Sequence, residues 1–341
     1  MIIGIIKELS DYEQRVAATP ESIAKFTAAG FKCLVEHNAG AAAGFVDADY
    51  IKAGAAIAEN AKAVTESCDI LPKIVAPLPS EWESIKKTGV VIADFRYFLP
   101  EQLPENSRLT CFALEKIPRI SRAQNMDILS SQDNLAGYKA ALLAANISKK
   151  TVPMMITAAG TLAAAKAMIV GIGVAGLQAI ATAKRLGAMV FASDIRPETK
   201  EQAESLGARF VDNADLAAKL PTMDIIITAA GAPPKAPPLF DSHLLRKLSP
   251  DCVVIDISGN FRDMDSPQTI SDDGRTLVCY QKAAALLSHS ASRLYAENIF
   301  NFISLLYPSA TDNTEFNFAD DIIAQTCVCY RGQLRKEEKN A

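Results

Sequence analysis

No CxxC pair, no His-rich tract and no uninterrupted apolar run of membrane-spanning length occurs in this sequence, and its charge balance is nearly even. Each absence excludes a class. With 35 Lys and Arg against 39 Asp and Glu, the formal net charge is -4, so there is no electrostatic reason to bind nucleic acid or an anionic membrane surface. The histidines His37, His243 and His289 are isolated from one another, and no metal site is expected. Cysteines stand at 33, 68, 111, 252, 279, 327 and 329, an odd number without a pairing pattern. Cys33, Cys111, Cys252 and Cys279 lie in apolar stretches and read as small buried hydrophobes in a reducing, cytoplasmic setting. Arg335 and Lys336 sit beside Glu337 and Glu338 and read as a solvated tail. Lys7 and Glu8 follow only a handful of apolar residues, which predicts a first strand rather than a signal peptide.

The stretch most like a membrane span is AMIVGIGVAGLQAIATA (167–183), which contains Gln178 and three glycines. It falls short of the roughly 20 residues a span needs. A buried parallel strand followed by a buried helix explains it better, and no membrane insertion is expected.

What is there is an ordinary globular composition, 49% apolar over 341 residues, which predicts two domains. Strand and helix patterns alternate along the N-terminal stretch. Strands are expected at 2–8, 31–37, 69–75, 89–94 and 110–115, with helices at 20–29, 47–54, 61–67 and 81–87. Pro20 opens the first helix, with Thr19 as its N-cap. A loop over 116–127 leads to a long helix at 131–146, placed to bridge two domains. Further strands follow near 167–171, 189–193, 208–211, 224–229, 252–257 and 276–280, then a helix at 292–306. The fold class is α/β, two Rossmann-like doubly wound domains with mostly parallel sheets. The expected division is 1–130 plus 305–341, with the last thirty-odd residues packing back, and 131–304.

Gly171-Ile172-Gly173-Val174-Ala175-Gly176 is GxGxxG. A strand pattern precedes it, the helical LQAIATAKRLG follows, and the next strand, MVFAS, ends in Asp194 about twenty residues on. In this order the first glycine makes the tight turn, the second lets backbone approach a pyrophosphate, and the third allows close helix–strand packing. The helix start, Val174 and Ala175, offers unpaired N–H groups to phosphate. Asp194 is expected to accept from the adenosine ribose hydroxyls, with Ile195 and Arg196 beside it, which makes NAD rather than NADP the expected cofactor. Arg196 works slightly against that preference. TAAGAPPKAPP (228–238) follows another strand and, with Ala230, is either a turn facing the cofactor or a plain rigid loop. Asp256, at the end of VVIDIS, has the same two readings, cofactor-facing or a turn cap.

PRISRAQNMDILSSQDNLAGYKA (118–140), PMMITAAGT (153–161) and GIGVAGLQAIATAKRLGAMVFASDIR (171–196) closely resemble the NAD(H)-binding component, domain I, of proton-translocating nicotinamide nucleotide transhydrogenases. KELSDYEQRVAATPE (7–21) and TCV (326–328) agree, and the first of these is shared with alanine dehydrogenases. The resemblance implies a loop over the nicotinamide end of the cofactor carrying Arg119, Gln124 and Asp127, with Ser130 beside them. Arg119 would reach phosphate and nicotinamide, Asp127 and Ser130 would hold the carboxamide, and Gln124 would bridge to the second nucleotide. It also implies a homodimer, together with NADP-binding and membrane subunits through which a cytoplasmic chain would lie peripheral to the inner membrane. Read without the resemblance, these are polar residues on a surface loop.

The chain departs from that family at three places. The long mobile loop expected over the NAD site is reduced to VDNADLAAKLPTM (211–223); the stretch after Asp256 is compressed to SGNFRD; and YQKAAALLSHS (280–290) replaces a Thr-Asn-Val-Pro-type segment. Two other functions remain open on sequence. One is an alanine-dehydrogenase-like oxidoreductase in which Arg15 and Lys73 hold a substrate carboxylate and carbonyl. Its catalytic histidine is unmatched, since DFRYF (94–98) occupies that segment, leaving Tyr97 as a substitute. The other is a non-catalytic NAD-binding subunit.

Overall fold

The computed structural model describes residues 1–9, 12–96, 103, 108–231, 239–240, 242–261, 268–272, 275–280, 282–311 and 315–335. Tyr97, residues 232–238, Arg262 and Asp263 at the end of the compressed stretch, and Lys336 to Glu338 lie outside them, as does the side chain of His243. The chain divides into two compact units, Met1–Gln132 with Leu287–Ala341, and Asp133–Leu286. The return to the first unit comes at Leu287 rather than at 305, because helix Ser288–Leu306 buries Tyr295, Ile299, Phe302 and Ile303 in the first unit's core.

The first unit is built on an eight-stranded sheet. Its order is Gln333–Leu334, Cys327–Tyr330, Thr110–Ala113, Val90–Asp94, Ile70–Val75, Ile2–Ile5, Lys32–Glu36, Ala56–Ala58. The last six run parallel and the two C-terminal strands pair antiparallel at one edge. A parallel sheet is covered on both faces, so its strands read as unbroken apolar runs. Alternation survives in where the side chains go: Ile70, Ile74, Val90 and Ile92 join one core, and Leu71, Val91 and Ala93 the opposite one. Helix Pro20–Ala28 begins as expected, with a Thr19/Ser22 capping box and Pro20 in its first turn. Arg335 is not a solvated end. Its backbone N–H donates to Val328 O, and its guanidinium lies 4.1 Å from the centre of the Phe318 ring.

The second unit carries a seven-stranded sheet ordered Arg209–Phe210, Met189–Ser193, Lys166–Val170, Ile225–Thr228, Val253–Asp256, Arg275–Cys279, Gln268–Asp272, with only the last antiparallel. Strand order reverses between Lys166–Val170 and Ile225–Thr228, the point where doubly wound sheets open a crevice at their carboxyl ends. Short strands at Ala56–Ala58, Gln268–Asp272, Cys327–Tyr330 and Gln333–Leu334 have no counterpart in the sequence expectations. Neither does the hairpin Met155–Thr157/Gly160–Leu162, every residue of which is exposed. The helix expected near 81–87 is Pro79–Trp82, and the expected loop before the long helix contains the 3-10 turn Ser121–Met126. That long helix runs Ile128–Ile147 and passes from the first unit into the second. No described helix is long and apolar enough to cross a membrane.

Candidate functional site

The GxGxxG segment lies at the switch point. Strand Lys166–Val170 ends, Gly171 turns with φ +93, and helix Val174–Arg185 begins after Gly173. Only glycine fits at two of the three positions. A Cβ on Gly171 would stand 2.6 Å from Ala229 C and O, and a Cβ on Gly176 would stand 1.9 Å from Gly171 O. At Gly173 a Cβ would meet nothing within 4 Å. The space before the helix start is therefore open, and the first-turn N–H groups of Val174, Ala175 and Gly176 have no acceptor within the helix. The long helix seats itself on the same turn: a Cβ on Gly137 would lie 2.0 Å from Ala175 O.

Asp194 follows strand Met189–Ser193, with its side chain 6% exposed. Its Oδ2 accepts from Ile172 N–H at 2.7 Å and from Arg196 Nη2 at 2.9 Å. Its Oδ1 accepts from Arg196 N–H at 2.9 Å and Arg196 Nε at 3.0 Å. Burial alone would raise this carboxyl, but the Arg196 fork and the Ile172 N–H outweigh it and hold it below the ordinary aspartate value. Arg196 Nη2 also donates to Ile172 O at 3.2 Å. Ile195, next along, is 81% exposed.

The neighbouring loop is stapled by a residue that sequence reasoning missed. Asn260 Oδ1 accepts from Ala230 N–H at 3.2 Å and Asn260 Nδ2 donates to Ala230 O at 2.9 Å. Asp256 is fully buried and organises the adjoining turn. It accepts from Thr228 Oγ1 at 2.9 Å and from the N–H groups of Ser258, Gly259 and Phe261. Of its two readings, the turn cap is the one these contacts describe. The shortened segment after Phe210 is compact, comprising helix Asn213–Lys219 and a turn at Leu220–Thr222.

In the first unit, Asp127 caps helix Ile128–Ile147, accepting from Ser130 N–H at 3.0 Å and from Ser130 Oγ at 2.5 Å. The preceding turn is anchored by Asn125 O, which accepts from Asn298 and Asn301, and by an Arg122–Asp320 ion pair at 2.6 Å. Arg119 and Gln124 are left exposed on that anchored loop. Arg15 and Lys73 are already engaged. Arg15 forks onto Glu13 at 2.7 Å and donates to Gln132 Oε1 at 2.8 Å. Lys73, 1% exposed, donates to Glu81 Oε1 at 2.9 Å and lies 3.1 Å from Glu8 Oε2, a charge contact outside hydrogen-bonding geometry. Burial disfavours the Lys73 ammonium, but the two carboxylates outweigh it and hold its pKa above the ordinary value. A substrate carboxylate or carbonyl would have to displace these partners. Among the described residues, no group of three or more His, Cys, Asp or Glu is placed to hold a metal ion.

Two doubly wound units, one with a glycine turn at its switch point and an acidic residue ending the next strand, define an α/β protein of the dinucleotide-binding type. Comparisons with known proteins refine that class. The alanine dehydrogenase/PNT N-terminal domain matches residues 4–136 and the alanine dehydrogenase/PNT C-terminal domain residues 140–337. The chain is 36% identical over 374 residues to the separately encoded first portion of the NAD(P) transhydrogenase alpha subunit of Rhodospirillum rubrum, covering 98% of this chain and 97% of that one. A transhydrogenase structure from Sinorhizobium meliloti superposes with a TM-score of 0.90 at 38% identity, covering 99% of each chain. Alanine dehydrogenase of Bacillus subtilis is 27% identical over 271 residues, 76% of this chain and 70% of that one. The chain belongs to the alanine dehydrogenase/PNT family, on the side of the transhydrogenase alpha subunits.

Proposed function

We propose that this chain is the NAD(H)-binding subunit of a nicotinamide nucleotide transhydrogenase, an oxidoreductase component that passes hydride directly between NADH and an NADP held by a partner subunit. The observation that carries the reading is the open helix start at Gly173, with Asp194 ending the next strand. A pyrophosphate fits the open space before Val174 and Ala175, and the N–H groups there would hold it. When bound, the nicotinamide supplies the chemistry, giving up a hydride and its electron pair so that NADH becomes NAD while NADP becomes NADPH. The protein need not move a proton at the reacting carbon; it has to align the rings and exclude competitors.

The roles of the first unit's loop are part of the same reading. We assign Arg119 to the phosphate and nicotinamide end, Asp127 and Ser130 to the carboxamide, and Gln124 to the second nucleotide. Ala230, Ile195 and Arg196 complete the cofactor contacts. NADP-binding and membrane subunits are the expected partners, which places the chain beside the inner membrane on its cytoplasmic face. A homodimer completes the assembly, supported by the exposed apolar hairpin at 155–162.

Stopped-flow measurement of hydride transfer, with an NADP-binding partner and an oxidised NAD analogue, tests the reading. Gln124→Asn is expected to slow transfer while leaving NADH affinity nearly intact, and Asp127→Asn is expected to weaken NADH binding itself. Transfer that fails with every partner, while pyruvate and ammonium oxidise NADH, would replace this reading with the amino acid oxidoreductase.

A further inference from the structure

An ionised carboxylate has about four lone-pair directions to offer, two per oxygen. On Asp194 all four are taken, two by the main-chain N–H groups of Ile172 and Arg196 and two by the Arg196 guanidinium. The main-chain donors are part of the fold and leave the carboxylate fixed. The guanidinium is different in kind. Its side chain is 49% exposed, it is tethered only two residues from its acceptor, and it can swing away without disturbing a strand or helix. A ribose diol needs one lone pair on each carboxylate oxygen, the same two that the fork holds.

We propose that Arg196 is a displaceable latch on Asp194, competing with the adenosine ribose for the carboxylate and thereby setting the margin between NAD(H) and NADP(H). This inference rests on the dinucleotide-binding reading above and adds a specificity-determining residue to it. In the latched state the acidic charge is neutralised, and a dinucleotide must break the fork before its hydroxyls are held. Once released, the guanidinium is a cation beside the 2′ position. A 2′-hydroxyl gains nothing from it, whereas a 2′-phosphate can pair with it and recover some of what the repulsion by Asp194 removes. The arginine thus works against NADH affinity and in favour of residual NADPH affinity, with opposite signs on the two nucleotides.

The opposition makes the test specific. NADH and NADPH are titrated by calorimetry against the wild-type protein and Arg196→Gln, with thermal melts to confirm that both fold. A half-exposed ion pair is worth about a factor of two to five in an equilibrium, so Arg196→Gln is expected to bind NADH about two- to fivefold more tightly and NADPH more weakly. Asp194→Asn, which frees the arginine, is expected to shift the preference the other way. NADH binding to Arg196→Gln that is unchanged or weaker than wild type overturns the latch and makes Arg196 a spectator or a direct cofactor ligand. A wild-type chain that binds NADH normally while the variant behaves this way leaves the dinucleotide reading standing. Absence of NADH binding by the wild type removes both.

Discussion

Gly176 and Gly171 are in such close register that a Cβ on the first would stand 1.9 Å from the carbonyl oxygen of the second. Real Cβ atoms do not approach that closely, so helix Val174–Arg185 can lie against strand Lys166–Val170 only with glycine there. Gly173 is the contrast, with an extended backbone at φ -92 and nothing within 4 Å of its Cβ position. Gly176→Ala is therefore expected to lower the melting temperature of the second unit sharply. Gly173→Ala is expected to melt like wild type while losing most NADH affinity, because the methyl fills the space a pyrophosphate needs. Circular dichroism melts paired with NADH titration separate the two, and a Gly173→Ala variant that binds NADH normally would show the open space to be incidental.

Glu115 sets a pH dependence in the first unit. Burial pushes its carboxyl up to about 7 from the ordinary 4.5, with repulsion from Asp94 adding to it, while the Phe95 N–H that donates to its Oε2 at 2.9 Å partly opposes the shift. The folded chain therefore binds this proton more tightly than the unfolded chain does. Its stabilising contribution is complete below pH 4.5 and is lost as pH rises through 7. A difference of this size corresponds to about 3 kcal/mol in all. Glu115→Gln keeps an acceptor for Phe95 and removes the titration. Urea unfolding at pH 5 and pH 8 should show the variant gaining on wild type at the higher pH, and parallel pH curves for the two proteins would contradict it.

The thiols are expected to be inert in the folded chain. All seven cysteines are buried and free. Burial pushes Cys33, Cys68, Cys252 and Cys279 each up to about 12. At pH 8 almost none of these four is thiolate, and the thiolate is the form that reacts. An aromatic disulfide reagent should release little chromophore in native buffer and seven equivalents in guanidinium. Rapid labelling of the native protein would contradict the burial.

Much of this architecture was legible before any coordinates, because the features concerned are local. The glycine spacing, the acidic residue ending MVFAS, the apolar runs of the parallel strands and the Thr19 cap before Pro20 each act within a few residues of chain. What stayed hidden depends on partners far apart in sequence. Lys73 is sealed by Glu8 and Glu81 only once two strands and a short helix meet. Asn260 staples Ala230 across thirty residues, with no motif to announce it. The domain return at Leu287 is set by which core the face of helix Ser288–Leu306 enters, and an amphipathic pattern does not name its partner. PMMITAAGT carried the family resemblance, yet its apolar residues read as buried, and the hairpin they form is not.

That hairpin yields the last prediction. Met154, Met155, Ile156 and Leu162 are 61%, 43%, 75% and 50% exposed. Two strands of three residues cannot hold themselves together in water by their own hydrogen bonds, and no charged residue interrupts the chain between Lys150 and Lys166. An apolar ribbon without charge is what a partner surface buries and what a solvent-facing edge avoids. The occupant proposed above is a second copy of this chain, since a homodimer needs one self-complementary patch and no further component. Ile156→Asp puts a charge at the most exposed of these positions, where no core depends on the side chain. The variant is expected to melt like wild type when dilute but to sediment as a monomer at micromolar concentration, where wild type sediments as a dimer. If both sediment alike as dimers, the hairpin is not the contact. If wild type is a monomer throughout, the homodimer itself is wrong.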